Sequence, residues 1–306
     1  MKNNVYVRSR RSIKNISLLR ITMLIPLMIY GIYKNGVLLY MNKYTNIIGM
    51  FKPLILILAG AFIGALVNII YEYIIKRNKE SIIDALFSSF HIEYGILLAC
   101  ITTINCNVYL FSAITFVMLF ISKFTRKRIN TLAVIFIVMY FAELYLFKEY
   151  SFLNNYETAK VFSLDFMDYM VGRGAGGIAA THIILIIVSM IGISITSNNK
   201  TNITMLAIIT SIILFGIYSI VSRIPFESLL LSNNIIFAYT YIATEYLSSS
   251  YTYNGEIIFG ILVGVLTFVF YFVNPILAPF IAIAIVSLFN NLIDRIANRL
   301  NNKNIV

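Results

Sequence analysis

The stretch VGRGAGGIAATH, residues 171–182, joins a polar segment to an apolar run and carries four glycines within six residues. A glycine-rich turn before a helix can bind a phosphate, because the free N–H groups at a helix start favour an anion. The stretch does not match the nucleotide-hydrolase loop GxxxxGK[ST], since it lacks the lysine and no strand precedes it. Two interpretations remain open at this point: an anion-binding turn, or a close-packed turn that leads into a membrane helix.

Composition favours the membrane. Of the 306 residues 59% are hydrophobic and only 12% are charged, with a mean hydropathy of +0.85. Soluble domains carry about 25% charged residues, so these charges are too few to cover a water-exposed surface. The formal charge of +11 comes from basic clusters between apolar runs, which is typical of cytoplasmic loops and does not indicate a nucleic-acid partner.

The pattern predicts an all-α polytopic protein with about ten transmembrane helices. A spanning helix needs about 20 mostly apolar residues, and the eighth candidate is the weakest because Asn233 and Asn234 interrupt it. The predicted spans lie at about 18–33, 53–75, 85–104, 107–122, 129–147, 177–197, 203–222, 229–245, 256–273 and 275–293.

Basic residues before the first span predict a cytoplasmic N-terminus, and ten spans return the C-terminus to the same side. A polar segment divides the chain into an N-terminal five-helix half (1–147), an external loop (148–176) and a C-terminal five-helix half (177–306). Because each half has an odd number of spans, two similar halves would be inverted relative to each other. The stretches GAFIGAL (60–66) and GILVGVL (260–266) are typical of close helix packing.

Few ionisable residues lie inside the predicted spans, and such residues are functional candidates by default. His91 and Glu93 are candidates for an ion path, although two residues so spaced on a helix face different ways and capping is an equal alternative. We expect Glu72 and Glu143, near helix ends, to extend towards water. Two cysteines without CxxC spacing predict no metal site, and we predict no catalytic residue.

Three stretches resemble a known family. In the opening stretch Gly172, Gly176, Ile178 and Thr181 are similar to a pattern GxxxGxIGET, with Ala179 and Ala180 in place of its Gly-Glu pair. The second is IATEYLSSSYTYNGEIIFGILVGVLT, residues 242–267, which is similar to ATDPxxSPxTxxGxxxxGxxxGxLT with Glu245 in place of the Asp. The third is SLFNNLIDR, residues 287–295. Together they resemble the RnfD/NqrB membrane subunits of bacterial ion-translocating electron-transport complexes.

The resemblance implies two inverted five-helix repeats, other membrane subunits as partners, and a bacterial plasma-membrane location. It also implies FMN on a threonine of a [ST]GAT motif and a second, non-covalent flavin such as riboflavin. The matching threonine is Thr158, but Asn155, Tyr156 and Glu157 replace the Ser-Gly-Ala before it, and a carboxylate there would repel a phosphate. The cofactor-binding residues that the resemblance implies are Thr158, Gly172, Gly176, Thr181, Thr244 and Gly255.

Two classes of function follow. One is a subunit that couples flavin-mediated electron transfer to Na+ or H+ translocation. The other is a transporter, channel or structural subunit on the same scaffold without a redox cofactor, which the lost motif before Thr158 favours.

Overall fold

A computed structural model describes residues 13–75, 85–125, 128–147, 164–196 and 200–303. All regular secondary structure in these ranges is helical. We number eleven helices: α1 Ile13–Met41, α2 Ile47–Ile75, α3 His91–Ile101, α4 Val108–Ser122, α5 Thr131–Phe147, α6 Ile183–Thr196, α7 Thr201–Ser222, α8 (Ile235–Phe237 continued by the π-helical Ala238–Ile242), α9 Tyr253–Tyr271, α10 Ala278–Leu288 and α11 Asn290–Lys303. Two further short helices are Phe166–Met170 and Phe226–Leu230.

The helices confirm a polytopic membrane protein, and each of the ten predicted apolar runs overlaps one of the helices α1 to α10. Among the described residues α1, α2, α7 and α9 are long and apolar enough to cross a bilayer by themselves. The pair α10 and α11 passes the same test jointly but is bent by 60°. Shorter apolar helices occupy the remaining runs except that of α8.

The runs 85–104 and 229–245 differ from the predicted full spans. Helix α3 has 11 residues and α8 eight, so their lengths are about 17 Å and 12 Å, roughly half of a hydrocarbon core. Helix α3 ends because Thr102 is extended, and α8 follows Asn233 and Asn234, which both have left-handed backbone conformations. Asparagine tolerates that conformation better than most residues, so the weakness of the eighth run marks a helix start.

Helices α3 and α8 are the third elements of their halves, and they run in opposite directions. The end of α3 lies beside the start of α8, because Asn234 Nδ2 donates to Ile101 O at 2.9 Å. The start of α3 lies beside the end of α8, because Arg20 contacts both Glu93 and Tyr241 O. Inverted halves require this antiparallel relation. The boundaries at 148–176 stay a prediction, since residues 148–163 lie outside the described part.

Glycines position α3 and α9 by close packing. A Cβ on Gly60 of α2 would lie 2.2 Å from Gly95 O of α3, and one on Gly264 of α9 would lie 1.8 Å from Thr210 Oγ1 of α7. The packing role predicted for the two glycine stretches is therefore confirmed. It fixes α3 against α2, and with it the orientation of the residues at both ends of α3.

Candidate functional site

The carboxyl end of α3 is bound by the glycine-rich stretch, at a site that we call the glycine junction (Cys100–Thr102, Gly177–Ala179 and Asn234). Ile178 N donates to Thr102 O and Ala179 N to Cys100 O, both at 2.9 Å. Asn234 connects the two segments, since its Oδ1 accepts from Gly177 N at 2.6 Å while its Nδ2 donates to Ile101 O. Every bond in this junction is between neutral groups.

Helix α1 holds the glycine-rich stretch from the other side. Lys34 Nζ donates to Gly174 O at 2.8 Å and Asn35 Nδ2 donates to Ile178 O at 2.9 Å. Both side chains come from the π-helical turn Tyr33–Val37 inside α1, and a Cβ on Gly31 would lie 2.4 Å from Ile178 O. The stretch is therefore a close-packed turn between α1 and α3.

These contacts occupy backbone amides that phosphate binding would need. The N–H groups of six residues donate to protein oxygens: Gly172, Arg173, Gly177, Ile178, Ala179 and Ala180. A phosphate cradle needs such donors to be free, so these amides do not fit the phosphate of FMN. Within the described part of the chain, Thr181 Oγ1 is buried and has no hydrogen-bond partner, so it is a polar side-chain group that a ligand here could use.

The carboxyl end of α8 is bound by an arginine, at a site that we call the arginine junction (Arg20, Glu93, Tyr241, Thr244 and Glu245). Arg20 Nη2 donates to Tyr241 O at 2.5 Å and Nη1 to Thr244 O at 3.4 Å. Its Nε lies 2.7 Å from Glu93 Oε1, and the two residues are 5% and 1% exposed. A cation at a helix carboxyl end is favoured by the helix dipole.

A second buried carboxylate lies next to this ion pair. Glu245 Oε2 accepts from Ser248 Oγ at 2.5 Å, and the Tyr94 ring of α3 lies close to Glu245. Ser17 lies beside Glu93 in the same way. The arginine junction therefore combines a buried ion pair with a second buried carboxylate and neighbouring hydroxyl groups.

Asn130 and Lys200 fix the loop that follows α8. Asn130 Nδ2 donates to Ile242 O at 2.7 Å and to Ser248 Oγ at 3.0 Å. Lys200 Nζ donates to Ser249 O at 3.0 Å and to Ser249 Oγ at 2.7 Å. Burial lowers the pKa of Lys200 to about 8, although Glu256 and Asp294 oppose this shift.

The cofactor-binding residues predicted from the sequence lie at separate sites in the structure. Gly176 and Thr181 lie together, because a Cβ on Gly176 would be 2.6 Å from Thr181 Cγ2 and 2.9 Å from Asn234 Oδ1. Gly172 has a φ of +86° and packs against His182. Thr244 is at the opposite end of α8, in the arginine junction. The two groups are therefore separated by the length of α8.

Gly255 lies in the first turn of α9 and donates to Thr252 Oγ1 at 3.1 Å. Its neighbours belong to a cluster around Asp294, whose Oδ1 accepts from Ser250 Oγ at 2.5 Å. Thr158, the predicted site of covalent FMN, lies outside the described residues.

His91 and Glu93 face different groups, as their spacing predicts. The His91 ring nitrogens lie 2.6 Å from Ser89 Oγ and 2.9 Å from Ser122 Oγ. Lys123 Nζ also donates to Ser89 Oγ, at 2.8 Å. His91 therefore belongs to a hydrogen-bonded chain with α4, whereas Glu93 belongs to the arginine junction.

The expectation that Glu72 and Glu143 extend to water is wrong, since each is 4% exposed. Glu143 Oε1 accepts from Asn107 N and from Cys106 Sγ, both at 2.9 Å. The carboxylate thus caps the connection between α3 and α4 instead of extending outwards. Cys106 is buried, and burial together with Glu143 raises the pKa of its thiol.

Sequence reasoning missed Arg20, Lys200 and the pairing role of Asn234. A signal existed for two of them, because Arg20 is an ionisable residue within the first apolar run and Asn234 interrupts the eighth. Lys200 lies between two runs and looks like an ordinary loop lysine. Its partners are 46 and 49 positions away, which sequence periodicity cannot show.

The chain was compared with known proteins. No curated protein gave a significant match. The sequence profile of the NQR2, RnfD, RnfE family matches residues 1–303, which is nearly the whole chain. This match confirms the resemblance seen in the three sequence stretches: the chain belongs to the NQR2, RnfD, RnfE family.

Proposed function

We propose that this chain is a membrane subunit of an Rnf/Nqr-type complex and supports flavin-mediated electron transfer coupled to Na+ or H+ translocation. The family match over residues 1–303 is the observation that carries the proposal. The fold agrees with it, since two antiparallel short helices meet inside the protein, an arrangement that inverted-repeat transporters use for ion sites. Its partners are the other membrane subunits and the lipid bilayer, with both termini in the bacterial cytoplasm.

The ion path that we propose includes Glu93 and His91. Glu93 lies where α3 begins, and its carboxylate shares the carboxyl end of α8 with Arg20. Arg20 supplies the positive charge that neutralises Glu93, so a translocated cation must compete with the guanidinium for the same carboxylate. His91 lies in the same first turn of α3 but on a different face, in the hydrogen-bonded chain formed by Ser89, Ser122 and Lys123.

The flavin that we propose is FMN on Thr158, with riboflavin as a candidate second flavin. The isoalloxazine supplies the redox chemistry when it is bound, while the protein contributes position and electrostatics. The six bonded amides at residues 172–173 and 177–180 do not serve its phosphate. The buried Thr181 hydroxyl, which has no hydrogen-bond partner, is the side-chain group of this stretch that we assign to contact a flavin ring or ribityl chain.

Intact-mass and peptide mass spectrometry of the complex purified from its host test the flavin part. We expect an FMN adduct on the peptide that contains Thr158 and its loss in Thr158→Ala. An unmodified peptide, in cells that attach FMN to other proteins, would favour the alternative of a transporter, channel or structural subunit without a redox cofactor. The replacement of the Ser-Gly-Ala motif by Asn155, Tyr156 and Glu157 supports that alternative.

Ion uptake by proteoliposomes that contain the complex tests the ion path. We expect Glu93→Gln to lower Na+ or H+ uptake per electron transferred. Glu227→Gln, in the short helix Phe226–Leu230 and not among the residues of either junction, is expected to leave the ratio unchanged. An unchanged ratio in Glu93→Gln with normal electron transfer would exclude Glu93 from the path. Uptake by the isolated chain without any electron donor would support the transporter alternative.

A further inference from the structure

Helix α11 is strongly amphipathic, and its surface is divided into three rows of residues spaced by four. Ile293 and Ala297 are buried against the rest of the protein. Leu292 and Ile296 form a second row and are 55% and 43% exposed. Residues four apart lie on one face of a helix, so the exposed apolar row is continuous along the helix.

The acidic and basic residues of α11 lie on different sides of the helix. Its one acidic residue, Asp294, turns towards the protein, where it accepts from Ser250 Oγ and lies 3.3 Å from Arg128 Nη1. Arg295 and Arg299 are exposed and form a row next to Leu292 and Ile296. The outward surface of α11 is therefore apolar on one side and cationic beside it, with no exposed carboxylate of its own.

The direction of α11 differs from that of the apolar helix before it. The chain turns by 60° between α10 and α11, so α11 leaves the direction of α10 instead of lengthening it. Leu288 and Phe289, at the turn, are each 56% exposed and continue the apolar row towards the apolar helix α10. An aqueous setting would leave this row unfavourably hydrated, whereas a lipid interface would bury it.

We propose that α11 is an interfacial helix that binds the bilayer surface and prefers anionic lipids. Leu292 and Ile296 insert among the upper acyl chains, and Arg295 and Arg299 contact lipid phosphates beside them. Interfacial helices combine an apolar face with basic residues in this way, and their binding depends on anionic lipid. Basic residues near an anionic surface strengthen that binding.

The chain has no tryptophan, which permits a direct test. Leu292→Trp and Ile296→Trp each introduce a single fluorophore on the apolar row, and Asn298→Trp introduces one on the polar side as the control. The full-length proteins are reconstituted in vesicles of phosphatidylcholine and phosphatidylglycerol whose acyl chains are brominated at shallow or deep positions. We expect blue-shifted emission and strong quenching by the shallow bromines for the first two variants, and neither for Asn298→Trp.

The lipid preference is measured with bromine carried by phosphatidylglycerol or by phosphatidylcholine alone. We expect stronger quenching of Leu292→Trp by the anionic brominated lipid, and loss of this difference when Arg295→Gln and Arg299→Gln are added. Red-shifted, unquenched emission from both apolar-row variants in protein with a normal gel-filtration profile would overturn the proposal and indicate a face that a protein partner covers. Equal quenching of Leu292→Trp by both lipids, in protein that retains Arg295 and Arg299, would overturn the anionic preference.

Discussion

The glycine junction and the arginine junction meet the same physical requirement with different chemistry. Each surrounds the carboxyl end of a short helix inside the protein, where unpaired carbonyl groups are costly. The glycine junction binds those carbonyls with backbone amides and Asn234, while the arginine junction binds them with the guanidinium of Arg20. Neutral donors make one junction a structural closure, whereas the other holds a charge that a neighbouring carboxylate must balance.

This difference in chemistry gives the two junctions different roles. A junction made of backbone groups cannot change its protonation or exchange a cation without unfolding locally. A junction made of an ion pair can do both, because Arg20 has alternative partners in Glu93 and in the α8 carbonyls. We therefore expect substitutions to separate the two junctions by the size and kind of their effects.

The largest effect is expected for Arg20→Met. It removes the guanidinium from the Glu93 carboxylate and from the carbonyls of Tyr241 and Thr244, and removing one member of a buried pair costs about 3–5 kcal/mol. Thermal unfolding in detergent measures the loss. The control is Arg173→Met, because the Arg173–Asp168 pair has the same 2.7 Å distance with an arginine that is 67% exposed, and exposed pairs contribute about 0–1 kcal/mol.

The double variant Arg20→Met/Glu93→Gln tests the cause. If the uncompensated carboxylate is responsible, the second change restores part of the stability. A double variant that is as unstable as the sum of the singles would assign the loss to the carbonyl contacts alone.

A smaller loss is expected for Asn234→Ala in the glycine junction. The change leaves Gly177 N and Ile101 O unpaired, and each buried orphan costs about 1–3 kcal/mol. It also removes a residue that tolerates a φ of +63°. Asn42→Ala is the control, since the Asn42 amide makes an exposed bond to Leu38 O; equal melting temperatures for the two variants would contradict the prediction.

Gly177→Ala probes the same junction by volume. The new Cβ would lie 2.5 Å from the carbonyl carbon and oxygen of Ile101, so the turn must move away from α3. Overpacking of this kind costs about 1–3 kcal/mol. Gly216→Ala in α7 has open space around its Cβ and is the control. It is expected to melt no lower than the parent protein, because alanine favours a helix over glycine.

A pH dependence is expected from Lys200. Its pKa is about 8 in the folded protein against 10.5 ordinarily, so between these values the unfolded chain binds more protons. The free energy of unfolding therefore rises as the pH increases from about 8 to 10.5, and the penalty for burying the charge is constant below that window. The melting temperatures of the parent protein and of Lys200→Met are measured across this pH range, and the change in their difference gives the contribution of Lys200. Parallel plots of melting temperature against pH would exclude that contribution.

The sequence predicted the membrane class and the ten apolar runs because burial in lipid selects composition over long windows. It could not predict that α3 and α8 are about half as long as a spanning helix. Hydropathy over the run is the same whether the whole run is helical or a shorter helix is followed or preceded by apolar non-helical residues. Asn233 and Asn234 were the visible sign of the second break.

The junctions were harder to predict because their partners are far apart in the chain. Arg20 and Thr244 are separated by 224 positions, and Asn234 and Ile101 by 133. The glycine-rich stretch was recognisable as special, but its sequence suits an anion and a neighbouring helix end equally. Only the packing of α1 and α3 around it shows that its amides bind carbonyl groups.

The burial of both cysteines has a practical consequence for topology. Cys100 and Cys106 are each 0% exposed, and thiol reagents need an accessible thiolate. We therefore expect membrane-impermeant maleimides not to label the two native cysteines. A single cysteine introduced at Tyr109 or Arg223, which are exposed positions near helix ends, would be labelled from one side of the membrane only. Labelling of intact cells would then assign the arginine junction and the glycine junction to their sides of the membrane without a cysteine-free parent.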